Sequence, residues 1–170
     1  MSNLRILGVD PGSRYTGWGL IDQEGSRLKW IASGRIEAYR AGELPARLKM
    51  LFQGLSDVAQ SHQPAEAALE QVFVSVNAQS TLTLGQARGA AMVALTMADL
   101  PVAEYSASQV KSAVVGQGKA SKTQVMSMVQ IILNLQGKKL TEDEADALAV
   151  AICHANSRQF MDRPELRGMR

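Results

Sequence analysis

The order of elements in this sequence predicts an α/β domain: a five-stranded mixed sheet flanked by helices on both faces. Three observations lead there. Short apolar or β-rich runs bounded by glycine fill residues 4–36. Apolar residues at three- and four-residue spacing begin at Leu44, and strand-like and helical segments then alternate to the end. The 170 residues suit one domain, and 46% apolar with 20% charged residues excludes disordered and fibrous chains.

Taken in order, residues 4–10 form a mostly apolar run ended by Asp-Pro-Gly, a buried strand followed by a turn. Residues 15–21 and 28–36 favour β structure and give the second and third strands of a meander. Leu44, Leu48, Leu51, Leu55 and Val58 mark an amphipathic helix over residues 44–60. Pro64 leads into a fourth strand over residues 67–73. Residues 78–100 read as a long helix rich in small residues (Gly85, Ala87, Gly89, Ala90, Ala91, Ala94), suited to close approach of a second copy in a homodimer. A fifth strand covers residues 102–105, and helices cover 108–115 and 122–135. The last helix spans residues 141–158, with Thr141 as N-cap and Glu144 three residues on as a capping box. The domain is expected over residues 1–158, with a flexible C-terminal tail at 159–170 holding Pro164 and Gly168.

The net charge of +2 hides a partition. Between residues 105 and 141 stand Lys111, Lys119, Lys122, Lys138 and Lys139 without one carboxylate, a stretch able to follow a polyanion backbone. It reads equally as an ordinary solvated surface. Glu142, Asp143, Glu144 and Asp146 follow directly. The lone Cys153 has no disulfide partner in the chain and reads as a small buried hydrophobe in a reducing compartment. No signal peptide opens the sequence, and the uncharged stretch near residues 90–98 is about half a membrane span. The expectation is a soluble cytoplasmic protein with no membrane partner. Gly116-Gln-Gly118-Lys119 is followed by Ala120, so it lacks the spacing and the hydroxyl of a phosphate loop.

Four carboxylates occupy costly places. Asp10 ends the apolar run Ile6-Leu-Gly-Val9, and Glu70 interrupts Ala67-Ala-Leu-Glu-Gln-Val-Phe73. Asp143 and Asp146 are three apart on the last helix's first turns and are expected on one face. Each has a bland reading as a turn residue, a helix-dipole partner or a solvated edge residue. Together they would repel unless a divalent cation neutralised them, and ligands of oxygen alone point to Mg²⁺ or Mn²⁺.

These segments resemble the RuvC family of Holliday junction resolvases, nucleases with an RNase H-like fold. The matching pieces are Leu7-Gly-Val-Asp-Pro-Gly-Ser-Arg14 with Thr16-Gly17, Glu70-Gln-Val-Phe73 and Leu84-Gly-Gln-Ala-Arg-Gly89. Val114-Val-Gly-Gln-Gly118, Lys122-x-Gln-Val125 and Asp143-x-x-Asp146-Ala-Leu-Ala149 complete the set, in the family's order, to about His154. The resemblance implies Asp10, Glu70, Asp143 and Asp146 as catalytic metal ligands, with two Mg²⁺ per active site and Mn²⁺ as a substitute. It implies a homodimer that nicks a four-way DNA junction symmetrically, leaving 5′-phosphate and 3′-hydroxyl ends, beside the RuvAB branch-migration complex. DNA contacts are expected from Phe73, Asn77, Lys111, Lys119 and Lys122. One departure is Val76, where members often carry a basic residue. A sugar-kinase or actin-like ATPase also begins with a strand, an Asp and a glycine turn, but needs two lobes that 170 residues cannot hold. A junction-binding module with a dead site would lack a carboxylate, and none of the four is missing.

Overall fold

The computed structural model describes residues 3–161. Five strands, β1 (Leu4–Asp10), β2 (Thr16–Glu24), β3 (Arg27–Ile36), β4 (Glu66–Glu70) and β5 (Val102–Tyr105), lie in the order β3-β2-β1-β4-β5. The meander β1–β2–β3 is antiparallel, and β4 and β5 run parallel to β1. The predicted mixed sheet is the one observed.

Strand alternation decides which helix covers which face. Leu7 and Val9 of β1, Leu20 of β2 and Ala67 and Leu69 of β4 pack against α1 (Leu44–His62) and α2 (Ala78–Met97). Ile6, Ile21 and Ala68 point the other way, toward α3 (Ala107–Val115), α4 (Lys122–Ile132) and α5 (Glu142–Met161). β1 is therefore buried on both faces over Ile6–Val9, as that apolar run requires.

The tightest contact in this arrangement is α5 on the sheet. Gly8 and Gly19 are direct partners across β1 and β2, and Asp10 faces Gly17 two residues on. A Cβ at Gly8 would overlap the Ala147 carbonyl and lie 2.7 Å from the Ala151 nitrogen; at Gly17 it would overlap the Asp143 carbonyl. The three glycines form a trough into which Ala147 and Ala151 of α5 settle, both fully buried. Further along α5, His154 hydrogen-bonds Glu66 at 2.6 Å and the Tyr105 hydroxyl at 2.8 Å, tying that end of the helix to β4 and β5.

Several boundaries differ from expectation for local reasons. β4 ends at Glu70, not Phe73, because its partner β5 stops at Tyr105; the last ladder bond is Gln71 N–H to Tyr105 O, 2.8 Å. α2 stops at Met97 before Asp99, which adopts a left-handed φ of 58°, and α4 stops at Ile132 before Asn134 at 54°. Ser106, not Ser108, starts the third helix, with a reciprocal Ser106–Gln109 capping box. The Thr141–Glu144 box forms as expected, with Thr141 N–H donating to Glu144 at 2.9 Å and Glu144 N–H to Thr141 Oγ1 at 3.2 Å. α5 continues through Met161, past the expected domain end at Arg158, and residues 162–170 lie outside the described residues. Cys153 is buried, and burial pushes its thiol up to about 11. Among the described residues no helix is long and apolar enough to cross a membrane.

The glycine trough makes a test. Gly8→Ala must displace backbone and is expected to cost about 3 kcal/mol or more in urea unfolding. Gly85→Ala in α2, where a Cβ meets nothing within 4 Å, should instead stabilise by about 0.5–1 kcal/mol. Equal effects would show that α5 does not need the trough.

Candidate active site

β1 and β4 are parallel neighbours in register from Ile6↔Glu66 to Val9↔Leu69, so the residues that end them, Asp10 and Glu70, finish side by side. Counting back by twos, Asp10 shares its face with Ile6 and Gly8, and Glu70 shares its face with Ala68. This is the face α5 covers. The first turn of α5 passes over Gly17, the β2 partner of Asp10, and so brings Asp143 and Asp146 to the same end of the sheet. The Asp10-Pro-Gly turn is pinned by Thr16, whose hydroxyl accepts from Gly12 N–H at 3.2 Å and donates to Gly12 O at 2.9 Å.

Asp10, Glu70 and Asp146 line one cleft of about 290 Å³, with Lys111 of α3, Lys122 of α4 and the apolar Val110, Val125 and Ala149. Desolvation, then the charges of Asp146, Glu70 and Asp143, push the Asp10 carboxyl up to about 8, against the opposing pull of Lys122. Burial and Asp146 raise Glu70, and burial raises Asp146. The lysines offset this only in part. Lys122 lies 3.9 Å from Asp146.

Asp143 is held differently. Its carboxylate is 3.5 Å from the Arg35 guanidinium on β3 and does not line the cleft. The expected common face for Asp143 and Asp146 is thus divided between two cationic partners. Among the described residues no three potential ligands stand close enough to enclose an ion. The donor set nevertheless fits a hard divalent cation: carboxylate oxygens alone, around a desolvated cleft with uncompensated negative charge.

Two arginines that the sequence did not single out serve this end of the sheet. Arg88 of α2 donates from Nε to the Glu70 carbonyl at 3.1 Å and pairs with Glu104 at 2.8 Å, fixing the point where β4 stops. Its place inside Leu84-Gly-Gln-Ala-Arg-Gly89 is the one signal that points to it; nothing in the sequence marks Arg35.

Of the expected DNA contacts, Lys111 and Lys122 line the cleft, while Phe73, Asn77 and Lys119 stand outside its lining. Phe73 lies in the extended segment after β4 and is 63% exposed, beside the exposed Val74 and Val76. A core role for its ring is excluded. The Asn77 side-chain oxygen Oδ1 caps α2 by accepting from Ser80 N–H at 3.1 Å, leaving the side-chain amide nitrogen uncommitted at that cap. Lys119 is exposed on the α3–α4 connection, outside the cleft lining. A larger groove of about 460 Å³ between α1 and α2 is lined by Phe52, Ala94 and Met97 among others and carries no ionisable side chain.

The family profile for crossover junction endodeoxyribonuclease RuvC matches residues 6–154. The crossover junction endodeoxyribonuclease RuvC of Dechloromonas aromatica is 55% identical over 166 residues, covering 98% of this chain and 92% of that protein. That of Cupriavidus pinatubonensis is 57% identical over 153 residues, covering 90% and 84%. Among solved structures, Thermus thermophilus RuvC in complex with Holliday junction substrate matches with a TM-score of 0.86 at 28% identity, covering 93% of this chain and 96% of that one. The yeast mitochondrial Holliday junction resolvase shares the fold, with a TM-score of 0.68 at 14% identity. With carboxylates at the ends of two neighbouring parallel strands, two more on a helix packed over them and a match across nearly its whole length, this chain belongs to the RuvC family of crossover junction endodeoxyribonucleases.

Proposed function

We propose that Asp10, Glu70, Asp143 and Asp146 are the catalytic metal ligands of this endonuclease, and that it resolves four-way DNA junctions as a homodimer by symmetric paired nicking. The observation that carries the reading is the convergence of Asp10, Glu70 and Asp146 on one cleft walled by Lys111 and Lys122. The four acids would hold two Mg²⁺ ions, with Mn²⁺ as a substitute, and the bound metal would supply Lewis acidity for the attacking water and the leaving 3′ oxygen.

The chain's own residues do the rest. Asp10 and Glu70 sit on strand ends whose backbone is fixed by the sheet, so their oxygens form a rigid floor. Asp143 and Asp146 come from a helix turn and complete the set once Arg35 and Lys122 are drawn toward phosphate. Lys111 and Lys122 favour an incoming phosphodiester over water and contribute a salt-dependent grip. The exposed Phe73 ring is free to stack on an unpaired base at the crossover. Asn77 at the start of α2 and Lys119 on the α3–α4 connection are the further DNA contacts of this reading. A two-fold dimer sets two clefts against two strands of a junction, matching its symmetry, and the small-residue helix α2 is the proposed contact. The products are 5′-phosphate and 3′-hydroxyl ends. The reading also assigns the protein to the cytoplasm, alongside the RuvAB branch-migration complex.

Asp10→Asn, Glu70→Gln, Asp143→Asn and Asp146→Asn should each lower nicking of a synthetic junction in Mg²⁺ by about a thousandfold or more. Junction binding in chelator should be retained. A variant that cuts normally removes its residue from the ligand set.

Because the folded Asp10 carboxyl titrates near 8, well above an unfolded aspartate, its contribution to stability is full in acid and is lost as pH rises through about 8. Asp10→Asn abolishes that loss. In chelator, the melting temperature of the variant minus that of the unmodified protein should widen from about pH 5 to about pH 9. A difference independent of pH would contradict the placement of Asp10.

Phe73→Ala should cost about ten- to a hundredfold in cleavage of bound junction, with Phe73→Trp close to normal, since a base–aromatic stack is worth about 1–3 kcal/mol. Its melting temperature should not move, because the ring is exposed.

A further inference from the structure

On the side of the acids away from Lys111 and Lys122, the structure holds a second cationic surface. Arg14 and Tyr15 lie on the turn after Asp10, Arg35 near the end of β3, and Tyr39 and Arg40 on the short 3-10 helix Ala38–Ala41. The Arg35 guanidinium stacks 4.3 Å from the centre of the Tyr15 ring. The Tyr15 and Tyr39 rings are 5.2 Å apart, and Arg40 sits 5.8 Å from the Tyr39 ring. The turn and the 3-10 helix are tied by Tyr39 N–H donating to Arg14 O at 3.0 Å. Glu37 holds both Arg35 and Arg40 in place, while no carboxylate among the described residues pairs with the exposed Arg14.

We propose that Arg14, Arg35 and Arg40, braced by Tyr15 and Tyr39, bind the phosphodiester backbone of the cut strand on the far side of the scissile phosphate from Lys111 and Lys122. The inference rests on the reading of the acidic cleft as the place of cleavage. Three features carry it. Arg35 touches Asp143 at 3.5 Å, so the surface is continuous with the acid cluster. Arg14 and Tyr15 follow closely on Asp10, so a strand laid across the lysines and over Asp10 leaves the cleft over this turn. Guanidiniums stacked on aromatic rings are pre-ordered planar forks, the geometry that grips phosphate oxygens in pairs. Three guanidiniums against the two carboxylates that meet them, Glu37 and Asp143, leave net positive charge there. A strand held on only one side of the bond to be cut could pivot; contacts on both sides fix it in line.

The test is a salt titration of junction binding in chelator by the full-length protein, with a fluorescent four-way junction. Arg14→Gln combined with Arg40→Gln leaves Asp143 and its Arg35 partner in place. Each phosphate that the protein no longer neutralises takes about 0.9 from the slope of log affinity against log salt, so the double variant should fall by about two units. Lysine at both positions should restore the slope, since counterion release counts charge. An unchanged slope in the glutamine variant, while Lys111→Ala lowers it, would overturn the proposal and leave the cleft reading standing. An equal fall with glutamine and with lysine would also overturn it, marking a packing defect. If Lys111→Ala too leaves the slope unchanged, the cleft reading itself fails.

Discussion

The close seat of α5 on the sheet is the contact on which the remaining geometry depends. Gly8 and Gly19 face each other across β1 and β2, and Gly17 stands opposite Asp10. A side chain at Gly8 or Gly17 would meet α5 backbone. The acids at the ends of β1 and β4 are fixed by the sheet, whereas those on the helix are fixed only by how deep and how far along the sheet α5 lies. One trough therefore sets the span between two pairs of carboxylates. The part-buried links from His154 to Glu66 and Tyr105 keep the helix from sliding at its other end.

That geometry works against the folded protein's stability. Carboxylates around a desolvated cleft hold one another's protons, most clearly at Asp10. Lys122 and Arg35 relieve Asp146 and Asp143, and neither reaches Asp10 as a close partner. Such uncompensated charge has no value for folding and is the condition a divalent cation meets. In the proposed reading the same arginine and lysine turn to phosphate once the acids take a different partner.

Most of the sheet is legible in the sequence because Ile6–Val9 of β1 carry no polar side chain and because the β-rich runs and the 3–4 spacing after Leu44 are local signals. The strand acids are legible for the same reason: charge inside an apolar run has few uses. What the sequence hides is set by partners in space. β4 ends at Glu70 because β5 ends, which the apolar Val72 and Phe73 could not reveal. Asp143 parts from Asp146 because Arg35 arrives from β3, more than a hundred residues earlier. The Thr141–Glu144 box is readable since both halves lie within one turn. Arg88 belongs to the glycine-flanked stretch of residues 84–89, but its bond to the Glu70 carbonyl needs the fold to be seen.

The most direct measurement of the central claim is anomalous scattering from Mn²⁺ in crystals of the protein. The account predicts manganese bound by Asp10 together with Glu70 and Asp146, and Asp143 turned away from Arg35 to join them. Manganese bound elsewhere, with Asp143 still paired to Arg35 and the cleft carboxylates unligated, would contradict it.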